Sequence, residues 1–269
     1  MVRSWLEHPL TRGLPIDSPG TTTLRRRVIA AKPFLRQIYQ EWYDDIARRV
    51  PDTPGRVLEL GAGAGFLQEH VPGVIRSEIF PCPGVAVALD GRSLPFAPGS
   101  LRAIVMTDVF HHIPDARRFL RDASAAVREG GVIVMVEPWV TPWSRFVYSN
   151  FHHEPFLPAA GCWEFASSGP LSGANGALPW MVFERDRAAF EREFPQWRIQ
   201  EIKPGMPFRY LLSGGVSLRT FMPGWSFAAW RAAETALEPL LGSLAMFATI
   251  VLRRTRHGPG APGTEDRRP

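Results

Sequence analysis

The chain has 269 residues, 45% of them hydrophobic and 21% charged, enough to bury one sizeable core without a second domain. Two cysteines, Cys82 and Cys162, give no disulfide framework, and the opening Met1-Val2-Arg3-Ser4-Trp5 lacks the apolar stretch of a secretion signal, so a cytoplasmic protein is expected. The formal net charge of +5 tolerates anionic partners without selecting one. Part of that excess lies in Arg253, Arg254 and Arg256, at the start of a Gly/Pro-rich tail over 255–269 that reads as disordered.

Residues 24–50 read as two helices broken at Lys32-Pro33, where Pro33 suits a first helical turn. A strand over Val57-Leu58-Glu59-Leu60 then enters Gly61-Ala62-Gly63-Ala64-Gly65, with a helix expected over 66–71 that puts Leu67 and Val71 on one face. Glycines spaced by single residues let backbone N–H groups approach a ligand that any Cβ would block. A dinucleotide turn reads G-x-G-x-x-G, whereas this one reads G-x-G-x-G with Glu59 two positions ahead of it. A carboxylate there repels a pyrophosphate and attracts an ammonium, which favours S-adenosyl-L-methionine and sets a dehydrogenase aside.

Residues 74–79 form a second strand ending near Glu78, a carboxylate suited to accept both hydroxyls of a ribose. A third strand over 85–89 ends in Asp90-Gly91 and is followed by Leu94-Pro95-Phe96. Only residues 80–84 separate these strands, where a crossover normally takes about a dozen residues, so no helix is expected there. A fourth strand over 101–105 runs on into Thr107-Asp108-Val109-Phe110-His111-His112-Ile113-Pro114.

From residue 57 to 137 this set of motifs resembles the class I S-adenosylmethionine-dependent methyltransferases. The L-P-F and V-F-H-H-I stretches resemble its small-molecule, quinone-methyltransferase-like branch, methyltransferase type 11. The resemblance implies an α/β fold with a Rossmann-like seven-stranded sheet, its last strand antiparallel, and helices on both faces. It implies that Glu59, Gly61, Ala62, Gly63 and Gly65 wrap the methionine part of the cofactor. Glu78 then takes the ribose, Asp90 with Gly91 borders the adenine, and Thr107, Asp108 and Val109 shape the pocket. Residues 1–50 become a helical lid on the cofactor, with Tyr39 or Tyr43 either reaching its carboxylate or simply packing. Arg102 stands where the family often has an aspartate, and Glu59 and Glu78 are glutamates where aspartates are frequent.

Further along, a helix over 115–129 is expected to turn Phe119, Leu120, Ala123 and Val127 inward and to end at Gly130-Gly131. A fifth strand follows at 132–137, a helix at 186–194 and a sixth strand at 197–202. The apolar run over 244–252 is far shorter than the roughly 20 residues that cross a bilayer, and its end fits the antiparallel seventh strand at 247–252. The methyltransferase domain thus spans 51–254 and carries two insertions, 138–183 and 205–243, where α/β loops usually run about 2–6 residues. Both leave the carboxyl edge of the sheet, where ligands bind in such folds. Their many aromatic residues suit a pocket for a ring or an acyl or isoprenoid chain. An apolar stripe at Trp225, Ala228, Ala229, Ala232, Ala233, Ala236, Leu237 and Leu240 is expected to pack on the sheet, with a peripheral membrane contact as the alternative.

Methyl transfer from a sulfonium is an in-line displacement, and a base is needed only when the acceptor arrives protonated. His111 and His112, after the fourth strand, and His153, in the first insertion, are the catalytic candidates because imidazole titrates near neutrality. Glu154 is a further candidate for a substrate contact, and Glu137 either acts at the same edge or anchors its turn. No metal is expected: neighbours such as His152, His153 and Glu154 point opposite ways on an extended chain and do not converge. The expected function is S-adenosylmethionine-dependent methylation of a hydrophobic or amphiphilic small-molecule or lipid-linked acceptor. Its rivals are a nucleic-acid methyltransferase and a non-catalytic cofactor-binding protein. No nucleic-acid partner is expected, since no recognisable RNA-binding module and no N-P-P-Y tetrad is present.

Overall fold

Four apolar strands run side by side through the middle of the molecule: β1 (Arg56–Leu60), β4 (Leu101–Thr107), β5 (Val127–Pro138) and β7 (Phe247–Arg254). Their near-continuous Val, Ile, Leu and Met content fits strands covered on both faces, and Leu58, Ile104, Val134 and Ile250 are completely buried. With β2 (Ile75–Glu78), β3 (Val87–Ala88) and β6 (Trp197–Gly205) they make a seven-stranded sheet in the order β3-β2-β1-β4-β5-β7-β6. All pairs are parallel except those of β7, which runs antiparallel to β5 and β6. The antiparallel last strand implied by the sequence is therefore present. The computed structural model describes residues 8, 17–152, 154–167, 169 and 171–256. Of the expected tail, Thr255 and Arg256 are held by Gln196 and Glu129, and residues 257–269 lie outside the described residues.

Helix α1 (Pro19–Ala31) begins after Ser18, whose hydroxyl accepts from the Gly20 N–H, and α2 (Pro33–Arg49) restarts at the proline the sequence marked. The inward face of α2 carries Phe34, Leu35, Ile38, Tyr39, Trp42, Tyr43 and Ile46 at helical spacing. Trp42 meets Phe247 at the head of β7, and Tyr43 meets Phe66 edge-on beside the glycine turn. Helix α3 (Ala116–Ala126) is shorter than expected, because Val127 already pairs with Leu101 as the start of β5. Gly130, with φ of +74°, belongs to an irregular stretch of β5 and not to a helix cap. After the glycine turn there is only a single 3-10 turn at Leu67–Glu69, which still buries Leu67 and Val71. Strand β3 shrinks to two residues, and no helix connects it to β2.

Both insertions contain structure of their own. The first holds α4 (Pro142–Phe151), opened by a reciprocal Thr141–Ser144 capping box, and then a helical segment from Leu178 whose π-helical turn at Met181–Arg185 leads into α5 (Arg187–Glu193). The second holds a short helix at Arg209–Ser213 and α6 (Phe227–Ala236). The alanine stripe of α6 does not pack on the sheet as expected: it faces outward. The buried side carries Phe227 and Glu234 because Glu234 is needed inside to bind Arg209. Arg209 also reaches Glu41 of α2, which Arg231 of α6 meets as well. Beside them the buried Lys32 ammonium donates to the carbonyls of Gly215 and Leu218, and Gln37 donates to Gly224. The N-terminal helices and the second insertion thus fold as one body.

Lys32→Met keeps the apolar stem but strands two carbonyls in the interior, so it is expected to cost about 2 kcal/mol. Urea unfolding measures this, and an unchanged midpoint contradicts it.

Candidate functional site

A cavity of about 410 Å3, well within the size of an ordinary ligand site, opens at the carboxyl ends of β1, β2 and β4. Its wall is formed by Gly61, Gly63, Ala64 and Gly65 of the turn after β1, by Glu78 and Ile79 after β2, and by Leu89, Asp90 and Gly91 after β3. Thr107, Asp108 and Val109 close the far side, followed by His112 and Ile113. From above, α1 adds Thr22 and Arg25, α2 adds Tyr39, and the insertions add Ser167, Gly169, Leu171 and Val216. Thr22 and Arg25 lie on a helix face with no motif to mark them in the sequence.

The glycine turn is shaped by tight contacts on both sides. Gly61 has φ of +66° and lies against the Val109 side chain. A Cβ at Gly63 would sit 2.9 Å from Glu78 Oε2 and would collide with the Thr22 methyl group. One at Gly65 would collide with the Tyr43 hydroxyl. Tyr43 is therefore a packing residue, fully buried and hydrogen-bonded to the Phe66 backbone, whereas Tyr39 reaches the cavity wall.

Glu78 accepts from the Gly63 N–H at 3.1 Å and still fronts the cavity. Burial raises its pKa, with the Gly63 N–H and neighbouring arginines opposing. Asp90 is on the wall but both its oxygens face Arg92, at 2.6–3.1 Å, which holds its carboxyl below the usual range.

Two residues expected at the cofactor lie behind the wall. Glu59 is buried with its carboxylate 3.5 Å from Arg76 Nε. It does not border the cavity, so the ammonium it was expected to attract is matched by an internal guanidinium. Ala62 is likewise internal, its N–H donating to Ser77 and its carbonyl accepting from Arg76. Arg76 also donates to the carbonyls of Gly65 and Gly84, and Arg26 caps those of Gly63 and Pro83. These two arginines bind the short β2–β3 connection to the glycine turn, the work a crossover helix does elsewhere.

Asp108 has a left-handed backbone, φ +61°, and donates its N–H to the Val136 carbonyl. A third of its side chain is open to the cavity, and desolvation by the surrounding protein raises its pKa to about 6. Glu137, at the end of β5, anchors the turn: it accepts from the Val109 and Phe110 N–H groups and from His111 Nδ1 at 2.7 Å. Burial alone would lower the His111 pKa, but the Glu137 and Glu154 carboxylates carry it well above the ordinary value. Both ring nitrogens of His111 thus face carboxylates, Nδ1 that of Glu137 and Nε2 that of Glu154. His112 is different. Burial and the His111 charge push its pKa down to about 3. It is neutral, and its Nδ1–H donates to the Gly173 carbonyl at 3.0 Å, leaving Nε2 as the acceptor nitrogen 3.7 Å from Glu154. Burial would raise the Glu154 pKa, but His111, His112 and His152 hold it well below the usual carboxylate range. His153 lies outside the described residues.

The aromatic residues of the insertions were expected to line a pocket, and the cavity wall contains none of them. Many of them pack on one another and on the core instead, as in the stacks of Tyr148 on Phe156 and of Trp42 on Tyr210, and the edge-on pair Trp143 and Phe208, while Phe146, Phe151, Phe221 and Trp225 are exposed. What the insertions give the cavity is Leu171 and Val216 together with the polar edge of Ser167 and Gly169. Among the described residues no helix is long and apolar enough to cross a membrane.

Residues 34–203 match the model of a family described as a methyltransferase domain. An uncharacterized methyltransferase of Mycobacterium sp. strain JLS is 27% identical over 197 residues, covering 60% of this chain and 78% of that protein. A chain from the complex between the Haloferax volcanii Trm112 methyltransferase activator and a methyltransferase aligns over 91% of this chain and 100% of its own length. Its TM-score is 0.50 at 10% identity, a likeness of fold. An S-adenosylmethionine dependent methyltransferase from Mesorhizobium loti aligns over 78% of this chain and 96% of that one, with a TM-score of 0.42 and 17% identity.

Gly63→Ala forces Thr22 and Glu78 off the turn and is expected to lower the melting temperature by several degrees, about 1–3 kcal/mol for an overpacked site; scanning calorimetry reads it, and an unchanged melting point contradicts the packing. Burial raises the Glu59 pKa from 4.5 to about 7 against the Arg76 charge. The folded chain then holds a proton that the unfolded chain releases, so this group's contribution to stability is full below pH 4.5 and is lost as the pH rises to about 7. In guanidinium unfolding at pH 5 and pH 7.5, Glu59→Gln should shrink the difference between the two midpoints; an undiminished difference rules the linkage out.

Proposed function

Since the chain belongs to the methyltransferase domain family, we propose that its cavity holds S-adenosyl-L-methionine and that the methyl group goes to a hydrophobic or amphiphilic small molecule entering beneath the two insertions. The observation that carries the reading is the juxtaposition of the glycine turn with Glu78. Three glycines let Val109, Thr22, Glu78 and Tyr43 close on the turn while its backbone borders the cavity, and a buried carboxylate at the end of β2 has one oxygen tied to the Gly63 N–H and still fronts the cavity. That set suits an adenosine ribose and an amino-acid tail. Arg25 brings a positive charge for the carboxylate of that tail, whereas Glu59 is turned inward to Arg76 and away from its ammonium. Asp90 and Gly91 border the adenine, with Arg92 drawing the Asp90 carboxylate sideways.

Bound there, S-adenosylmethionine supplies a sulfonium methyl that a nucleophile displaces in line. The chain's own work is to align the acceptor and exclude water. Ile113, Leu171 and Val216 give the wall its apolar character, which supports an acceptor with an apolar body. The exposed Trp225 and the outward alanine face of α6 support its amphiphilic end, since such a face suits a lipid-like surface. At the polar end, His112 and Asp108 are the wall groups able to meet a heteroatom.

Titration calorimetry with S-adenosylmethionine should give one site per chain, weakened at least about tenfold by Glu78→Ala, equivalent to about 1.4 kcal/mol. No heat from the folded protein refutes the donor. With a methyl-labelled donor and a cell extract, label entering the organic-soluble fraction supports the acceptor class, and label entering polynucleotide or protein overturns it.

A further inference from the structure

We propose that His111, His112 and Glu154 form a binding site for one divalent transition-metal ion, of the zinc type, in the wall of the cavity. The two histidines sit on one 3-10 turn, Phe110–His112, with ring centroids 4.2 Å apart. His111 Nδ1 is engaged by the Glu137 carboxylate at 2.7 Å, and His112 Nδ1 by the Gly173 carbonyl at 3.0 Å. Carboxylates and backbone carbonyls are the two partners that orient metal-binding imidazoles through their far nitrogen. Both rings accordingly turn Nε2 toward the same carboxylate, Glu154, at 3.5 Å and 3.7 Å, and one ligand atom from each of the three residues lies within 4.8 Å of the others. Nitrogen and oxygen ligands about 2.0–2.1 Å from a tetrahedral ion stand somewhat over 3 Å apart, so a small inward shift closes the set.

A further observation points to an ion in that place. His111 Nε2 is buried and makes no hydrogen bond in its present geometry, although it faces the group. Asp108 Oδ1 lies 4.0 Å from the same Nε2. Asp108 is placed to serve as a fourth ligand, or to bond a metal-held water. The sequence argument against a metal concerned His152, His153 and Glu154 as neighbours; the fold instead brings Glu154 from the first insertion onto the β4 turn. Because His112 and Asp108 are on the cavity wall, the ion would meet the acceptor's oxygen and stabilise its anion. That consequence, a preference for acceptors with an ionisable oxygen, rests on the methyltransferase reading, whereas the metal site itself does not.

The test uses the full chain, stripped with a chelator and dialysed against Zn2+ or Co2+. One equivalent should bind to the wild type, with Co2+ giving the visible bands of a four-coordinate nitrogen–oxygen site. Glu154→Gln and His112→Gln should each weaken binding about tenfold or more. Wild-type protein that binds no stoichiometric ion, or folded variants that bind as tightly as wild type, overturn the proposal. Should either variant fail to fold, the wild-type Co2+ spectrum decides, and absence of the bands is a refutation. Calorimetry with S-adenosylmethionine on the stripped protein tests the donor site separately, so the two readings fail independently.

Discussion

The Arg76 guanidinium beneath the glycine turn is the interaction on which the rest of the site depends. It lies against the Glu59 carboxylate of β1 and donates to carbonyls of Ala62, Gly65 and Gly84. A buried ion pair returns little net stability unless its remaining donors are used, and here they are spent on holding backbone. The turn has no helix of any length behind it to fix its carbonyls, and β3 joins β2 through a loop too short for a crossover helix. Arg76, joined by Arg26 on the Gly63 and Pro83 carbonyls, therefore does what two helices do in a fuller version of this fold. With the turn fixed from behind, Gly61, Gly63 and Gly65 can lie bare toward the cavity.

A second buried charge system organises the opposite wall. Glu137 terminates β5 by collecting the N–H groups of Val109 and Phe110, which fixes the left-handed step at Asp108 and aims the His111-His112 turn. Glu154 reaches the same histidines from the first insertion. The core strand, the β4 turn and the insertion are thereby joined through charged groups. Charged groups hold relative positions by direction and distance, as apolar packing does not.

The sheet was legible from sequence because its strands carry runs of β-branched and apolar residues that only a doubly covered sheet accommodates; the antiparallel β7 came with the family resemblance. The lengths were less so. Val127 reads as the last inward residue of α3 but begins β5, since pairing with Leu101 overrides local helical spacing. Much of the cavity wall was readable: Gly61, Gly63, Gly65, Glu78, Asp90, Gly91, Thr107, Asp108 and Val109 all border it. Glu59 was misread because nothing in its position revealed that Arg76, 17 residues on, would point back at it. The α6 stripe was misread for a similar reason. Alanines gain little by burial, so one Glu234–Arg209 pair decides which face turns inward. Arg25 carried no motif, and the meeting of Glu154 with His111 and His112 is a product of the tertiary fold.

The bracing of the second insertion against the N-terminal helices bears on how acceptor preference changes among relatives. Lys32, Gln37 and Glu41 each hold a partner in the insertion, and Asp17 holds Leu171 and Ser172 of the first. Grafting an insertion from another member would remove those partners and leave Lys32 and Glu41 buried or half-buried without them. On the proposed reading, in which the acceptor enters beneath the insertions, residues in a segment before the first strand must be exchanged along with the insertion, and the unit that sets specificity is discontinuous in the chain.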